Sequence, residues 1–448
     1  MAKTDILTPP GTGRHDSLTP EQKEFLKQMW AEYFQITDSG ETNRSDGLLT
    51  PSSSTINSIG ADDSSINSKV STGKRSWFGS SKSSKSSNNN ISNHKRLSDD
   101  LSSTHLSLAQ IGLLSDQIRL AFWNNILGDH PDSLLLRFLR ARKWNIANGT
   151  NMLLKAIKWR IEENIEEFEE KNEDGLDIKY RGLKKLMEMG GIYARGTDKQ
   201  GRLVINIPVR LLKTSNQDPK SLEKFTLYIT EMRRVLIQYP IETVCIVYDM
   251  TGFGIANMDY NFVKYTIRSF EAYYPESLGV MLFHKAPLVF WGVWKIIEPW
   301  LDPVVASKVR FTRSDKELTE YIDASHLPVK FGGLDKYTFE YIPPVPGEND
   351  RMSDIETKER LHDEWKAIMW KFEALTREWI ACKTTEGARP EDVIEAERKQ
   401  LAKELRVAYF KLDPYIRART MYHRSEHPVI QADGTIFWRY IGGDSSGP

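Results

Sequence analysis

A change of period at Gly190-Gly191 restricts the fold of this chain more than any other feature. Before it, apolar residues recur at helical spacing; after it, short apolar runs alternate with helical stretches. The runs are Ile192 to Arg195, Leu203 to Ile207, Val244 to Asp249 and Val280 to Phe283, the first two joined by the turn signal Asp198-Lys199-Gln200-Gly201. Between the later runs, Asp218-Pro219 supplies the cap and first turn of a helix reaching about Gln238, and Tyr260 to Tyr274 reads as another. Strands and helices that alternate along a chain pack as layers, so an α/β fold is predicted, with helices on a mixed or parallel sheet, closing near Gly332-Gly333.

The flanking regions are helical. Residues 105–175 read as a small helical domain ahead of the α/β domain at 176–340: Leu134, Leu135, Phe138 and Leu139 form one stripe, and Met152, Leu153, Ala156, Ile157 and Trp159 or Arg160 the next. Residues 1–36 hold one amphipathic helix, where Thr19-Pro20-Glu21-Gln22 gives a cap, a first-turn Pro and a capping-box Gln ahead of Phe25, Leu26, Met29, Trp30, Tyr33 and Phe34. Residues 37–104 are rich in Ser, Asn, Gly and Thr, with too few apolar groups to offset ordering entropy, and read as a disordered insert. Lys74-Arg75-Ser76 and Lys95-Arg96-Leu97-Ser98 within it suit basophilic kinases, although such pairs also arise by chance in a Ser-rich tract. Past the linker Pro343-Pro344-Val345-Pro346, residues 350–425 read as a helical hairpin, from Leu361, Trp365, Ile368, Met369, Phe372, Leu375 and Trp379 and then Val393 to Leu412, before a tail at 426–448.

Composition excludes several classes of function. Lys plus Arg and Asp plus Glu both number 61 in 448 residues, so bulk charge points to no nucleic-acid partner. Two cysteines, one of them in the apolar run Val244-Cys245-Ile246-Val247, exclude a disulfide framework and favour a reducing compartment. The start Met1-Ala2-Lys3-Thr4-Asp5 has no apolar core behind it, and the most apolar stretch, Pro287 to Leu301, is interrupted by Lys295, Glu298 and Pro299. The expectation is a protein neither secreted nor membrane-spanning. No G-x-S-x-G, P-loop or strand-linked G-x-G-x-x-G occurs, no nucleophile has an evident base, and His284 and His326 read as ordinary part-buried residues. No catalytic residue, cofactor or metal ligand is expected.

Two segments hold the remaining chemistry. Between Pro287 and Leu301 the apolar residues cover nearly the full circumference of a helix, which fits either a helix buried on all sides or a lid with one face on an apolar cavity and the other on a bilayer. In Arg137-Phe138-Leu139-Arg140-Ala141-Arg142-Lys143-Trp144 the bases either complement a helix C-terminus or form a phosphate site. Lys308, near the start of a strand, gains interest only where other charges converge on it.

Leu135-Leu136-Arg137-Phe138-Leu139-Arg140-Ala141-Arg142-Lys143, Tyr273-Tyr274-Pro275-Glu276, Leu301-Asp302-Pro303 and Leu327-Pro328-Val329-Lys330-Phe331-Gly332-Gly333, in that order, resemble the CRAL-TRIO lipid-binding family and, within it, the fungal phosphatidylinositol transfer proteins. The likeness spans about Leu113 to Leu334. Leu412-Asp413-Pro414-Tyr415-Ile416-Arg417-Ala418-Arg419 with Tyr422 further resembles the branch named for rescue of chitin-synthase and polarity mutants.

The resemblance implies acyl chains buried in a sheet-and-helix pocket under a mobile lid, here Pro287 to Leu301, with phosphatidylinositol as the bound lipid. It maps the headgroup contacts onto Arg142, Lys143, Glu276 and Lys308, and the pocket and lid onto Phe253, Gly254, Ala256, Phe290, Trp291, Trp294, Ile297 and Trp300. Val305 stands where the family carries a hydroxyl, so one headgroup hydrogen bond is missing. Gly254 and Ala256 stand where phosphatidylcholine carriers place two hydroxyls, which points to a more apolar second cargo, a sterol precursor or other neutral lipid. The partners implied are membrane lipids and membrane surfaces, with protein partners through the insert, for a cytoplasmic protein that visits the endosome, endoplasmic reticulum or lipid droplet transiently. A non-exchanging lipid sensor or scaffold, and an α/β enzyme acting on lipid, are the rival readings.

Overall fold

A computed structural model of the chain describes residues 12–39, 111–213, 218–382 and 387–442. The insert expected at 37–104 and its basic-serine pairs lie outside these residues, except that 37 and 38 complete the first helix. We label the helices of ten or more residues α1 Pro20–Asp38, α2 Ser115–Asn124, α3 Pro131–Ala141, α4 Ile146–Glu162, α5 Pro219–Arg234, α6 Tyr260–Tyr273, α7 Leu288–Ile297, α8 Ile355–Ala381 and α9 Glu391–Ile416. The strands are β1 Tyr193–Thr197, β2 Leu203–Pro208, β3 Val244–Asp249, β4 Leu278–His284, β5 Val309–Thr312, β6 Val429–Ile430 and β7 Ile436–Phe437.

Caps read from sequence recur as hydrogen bonds. Thr19 and Gln22 close a reciprocal capping box at α1 (3.2 and 3.0 Å), and Asp218 accepts from the Ser221 amide at α5; a cap not read from sequence, Asp259, accepts from the Asn261 and Phe262 amides at α6. α5 ends at Arg234, earlier than the expected Gln238.

The main sheet runs in the order β1-β2-β3-β4-β5, with β1 antiparallel to β2 and the remaining pairs parallel. This order decides where the helices go. Each parallel crossover steps to the next strand in the same direction, and crossovers of one hand that keep stepping one way place their connections on one face of the sheet. α5, α6 and α7 therefore share a face. The opposite face must be covered by other chain, and the segment after β5 supplies it: Leu318, Ile322, Leu327 and Phe331 pack on Val204, Cys245, Val247, Val280 and Leu282.

The flanking helices enclose a second core joined by buried polar bonds. Trp30 Nε1 donates to Asp132 (2.7 Å), Arg398 grips both oxygens of Asp132 (2.7 and 3.1 Å), and Arg160 on α4 does the same to Glu231 on α5 (2.9 and 3.2 Å). Removing one partner of such a pair would strand a buried charge, at a cost of about 3–5 kcal/mol.

Within the expected tail at 426–448, the described residues 426–442 include a small ribbon. β6 and β7 form an antiparallel ribbon, and Tyr440 stacks on His326 with ring centroids 4.1 Å apart. Tyr440 accepts from the Thr197 amide and Tyr422 from the Ala194 amide (3.2 and 2.6 Å), so the open edge of β1 is occupied. Two-residue strands leave no alternation to read, which is why the sequence showed only a tail.

Candidate functional site

The site begins with an asymmetry between the two faces of the sheet. β3 and β4 have strands on both sides, and on the outer face Cys245, Val247, Val280 and Leu282 are only 0–6% exposed. On the helix face of the same strands, Ile246, Tyr248 and Met281 keep partial solvent access, as do Phe262, Val263, Ile267 and Phe270 of α6. Apolar residues at the middle of a sheet that stay part-exposed beneath a helical layer mark an incompletely filled space. Its floor carries an aromatic row across three strands, Tyr248 on Phe283 (4.9 Å) and Phe283 on Phe311 (5.5 Å).

α7 closes over this row. Phe290, Val293, Trp294 and Ile297, at spacings of three and four, are buried against Phe283, Phe311 and Met250. Phe253 meets Phe290 edge-on at 5.4 Å. On the other side Leu288 is 89% exposed, and Val289, Trp291 and Ile296 are exposed as well. The helix is therefore not buried all round: each of its two faces is apolar, and one meets solvent. Trp291 also reaches Phe311 at 4.6 Å, and Trp300, half-buried, lies against Tyr260 and beneath Lys264. The helix is entered through Lys285, which holds a left-handed φ of +55° and pairs with Asp315 at 2.6 Å.

Three segments meet near the end of α3. Lys308 and Glu276 pair at 3.8 Å. Arg142 caps α3 within the field of Asp302 and Glu271, although burial outweighs both acids and lowers its pKa from the usual guanidinium range. The basic cluster divides in two. Arg137 is bonded to Asp129 and Arg140 to Glu242 and the Gly13 carbonyl, whereas among the described residues no acid lies within ion-pair distance of Arg142 or Lys143. Lys143 is exposed, and both it and Glu276 hold left-handed backbone (φ +50° and +56°), which costs a non-glycine residue about 1–2 kcal/mol.

Comparison with known proteins bears on this arrangement. Residues 187–333 match the family model of the CRAL/TRIO domain and residues 95–155 that of the CRAL/TRIO N-terminal domain. A CRAL-TRIO domain-containing protein of Schizosaccharomyces pombe is 37% identical over 96% of this chain and 95% of its own length. The chain belongs to the CRAL/TRIO family. It is also similar to the phosphatidylinositol transfer protein CSR1 of Eremothecium gossypii, 39% identical over 67% of this chain and 69% of that one. The SEC14 cytosolic factor of the same organism is 31% identical over 45% of this chain and 69% of its own.

Within this CRAL/TRIO fold, Gly254 is half-buried and Ala256 exposed, both in the turn after β3 and near Phe253, which packs against Phe290 of α7. Val305 packs into the apolar cluster around α7. Several residues in and around the site gave no sequence signal. Tyr248, Phe283 and Phe311 come together only through strand register, and Arg233, at the end of α5, is buried beside Phe270. His15, His130 and Asp132 bring ligand-capable atoms within 4.8 Å of one another, a cluster invisible at their sequence separation. Asp132 is already committed to Arg398 and Trp30, and the Arg398 guanidinium opposes a cation there, so these donors do not make a metal centre. Among the described residues no helix is long and apolar enough to cross a membrane.

Proposed function

We propose that this protein binds phosphatidylinositol, with its acyl chains in the space between the helix face of the sheet and α6, beside α7, and carries it between membranes without chemical change. The observation that carries this reading is the lid helix, apolar on both faces above a part-empty apolar floor. Such a helix loses its inner contacts when it opens, and can keep the exposed surface out of water only by meeting an apolar partner such as a bilayer. Lys308, Arg142 and Lys143 are cations available to an inositol phosphate, and Glu276, 3.8 Å from Lys308, is an acceptor for inositol hydroxyls. The naming of a CRAL/TRIO relative as a phosphatidylinositol transfer protein supports the cargo.

The test is movement of labelled phosphatidylinositol from donor to acceptor vesicles by the full chain. Transfer with the lipid recovered intact is expected; binding without transfer would favour a sensor, and turnover of a radiolabelled lipid would reveal an enzyme. Hydrogen exchange in residues 287–301 should rise on adding vesicles, whereas protection equal to that of β3 would remove the lid.

A further inference from the structure

Arg233 lies against Phe270, one of the part-exposed residues of α6, where an apolar pocket requires no cation. It is 6% exposed at the C-terminal end of α5, and its Nε is buried with no hydrogen-bond partner. Among the described residues none forms an ion pair or hydrogen bond with its guanidinium, whose contact is the ring of Phe270 at 5.8 Å. The nearby acid, Glu231, is taken by Arg160, Arg234 and the Tyr274 hydroxyl at 2.9, 2.9 and 2.6 Å. Tyr248, on the cavity floor, has a phenol that likewise makes no hydrogen bond among the described residues, and it lies close enough for the Arg233 charge to act on its ionisation. Burial lowers the Arg233 pKa to about 10 and raises that of Tyr248 to about 12, so at neutral pH one is a cation and the other a hydroxyl donor. A buried guanidinium Nε left without an acceptor is costly in an apolar wall, and a ligand oxyanion would satisfy it and accept from the Tyr248 hydroxyl as well.

We infer that Arg233, with Tyr248, receives the acid group of a lipid held inside the cavity, either a fatty-acid carboxylate or a phospholipid phosphate. This rests on reading the space beside α7 as a lipid pocket, and it sets aside the uncharged second cargo suggested by Gly254 and Ala256. A neutral lipid would leave the guanidinium unpaired; an acidic one neutralises it.

The test uses delipidated full-length protein, wild type, Arg233→Met and Arg233→Lys, titrated with sodium oleate, methyl oleate and phosphatidylinositol vesicles. If the acid is a carboxylate, Arg233→Met weakens oleate binding at least 10-fold, leaves methyl oleate unchanged, and Arg233→Lys restores part of the loss. If the acid is a phosphate, Arg233→Met weakens phosphatidylinositol binding at least 10-fold and leaves oleate unchanged, which would move that lipid's phosphate from the rim cations to Arg233. The lipid-free Met variant should melt no lower than wild type, because it removes an unpaired buried charge. Equal binding of all three probes by wild type and Arg233→Met would overturn the inference, as would a lower melting temperature in the Met variant that Lys restores. Failure of wild type to hold methyl oleate or phosphatidylinositol would remove the pocket itself, and this inference with it.

Discussion

The two faces of the central sheet have the same strands and the same register, yet one is sealed and the other keeps part-exposed apolar residues at its middle. On the outer face, Cys245, Val247, Val280 and Leu282 are sealed by Leu318, Ile322, Leu327 and Phe331. On the inner face, α5, α6 and α7 arrive as connections between successive strands, and cylinders on a twisted sheet leave space that only large side chains or a ligand fill. On the proposed function, stability and binding are divided between opposite sides of one layer, and adjacent residues on one strand serve different ends.

The sharpest way to break this comparison is a pair of neighbours on β4. Leu282→Ala, on the sealed face, is expected to destabilise the protein by about 2–5 kcal/mol. Met281→Ala, on the open face, is expected to cost well under half as much while changing lipid capture, since its side chain already borders unfilled space. Chemical denaturation of both variants measures the difference, and equal losses would mean that the inner face is a packed core.

Next in size is the rim. Replacing Lys143 and Lys308 with Ala removes charged contacts expected to contribute about 1.5–3 kcal/mol each. Phosphatidylinositol transfer should be lost with the melting temperature little changed; unaltered transfer would separate the rim from the cavity.

His284 sharpens the outer face. It is fully buried at the end of β4, 2.9 Å from Thr312 Oγ and 3.1 Å from Asp315, with its ring edge-on to Phe331. Burial, and then Lys285, depress its pKa below the usual 6.5. The folded protein therefore refuses a proton that the unfolded chain accepts, and stability should fall as pH drops below about 6.5, by at most about 1.4 kcal/mol per pH unit for this group. His284→Gln should flatten that slope in denaturation series from pH 7 to 5.

The smallest effect is expected at the turn after β3. A Cβ on Gly254 would meet nothing within 4 Å, and its extended backbone suits any residue, so Gly254→Ser with Ala256→Thr should change stability by no more than about 0.5 kcal/mol. The pair should raise phosphatidylcholine transfer relative to phosphatidylinositol, and no change in that ratio would assign selectivity to other wall residues.

Much of this protein was readable before any coordinates. The capping box at Thr19, the cap at Asp218, the strand runs around Val244 and Leu203, and the four motifs in order are local patterns, and local hydrogen bonding and side-chain period suffice to write them. The unusual helix at 287–301 was visible as an excess of apolar residues. Which of its residues face inward was not, because nearly all of its positions carry the same kind of side chain and only the partner surface distinguishes Phe290 from Leu288.

The tertiary structure alone decided the rest. Strand register aligned Tyr248, Phe283 and Phe311 into one floor, and one-directional crossovers put three helices on one side of the sheet. The fold sorted Arg137 and Arg140 into ion pairs while leaving Arg142 and Lys143 without one among the described residues, and it buried Arg233 near an acid, Glu231, that other groups already hold. Sequence states which groups are present; whether a charge is paired or waiting depends on distances between residues far apart in the chain, and those exist only once it has folded.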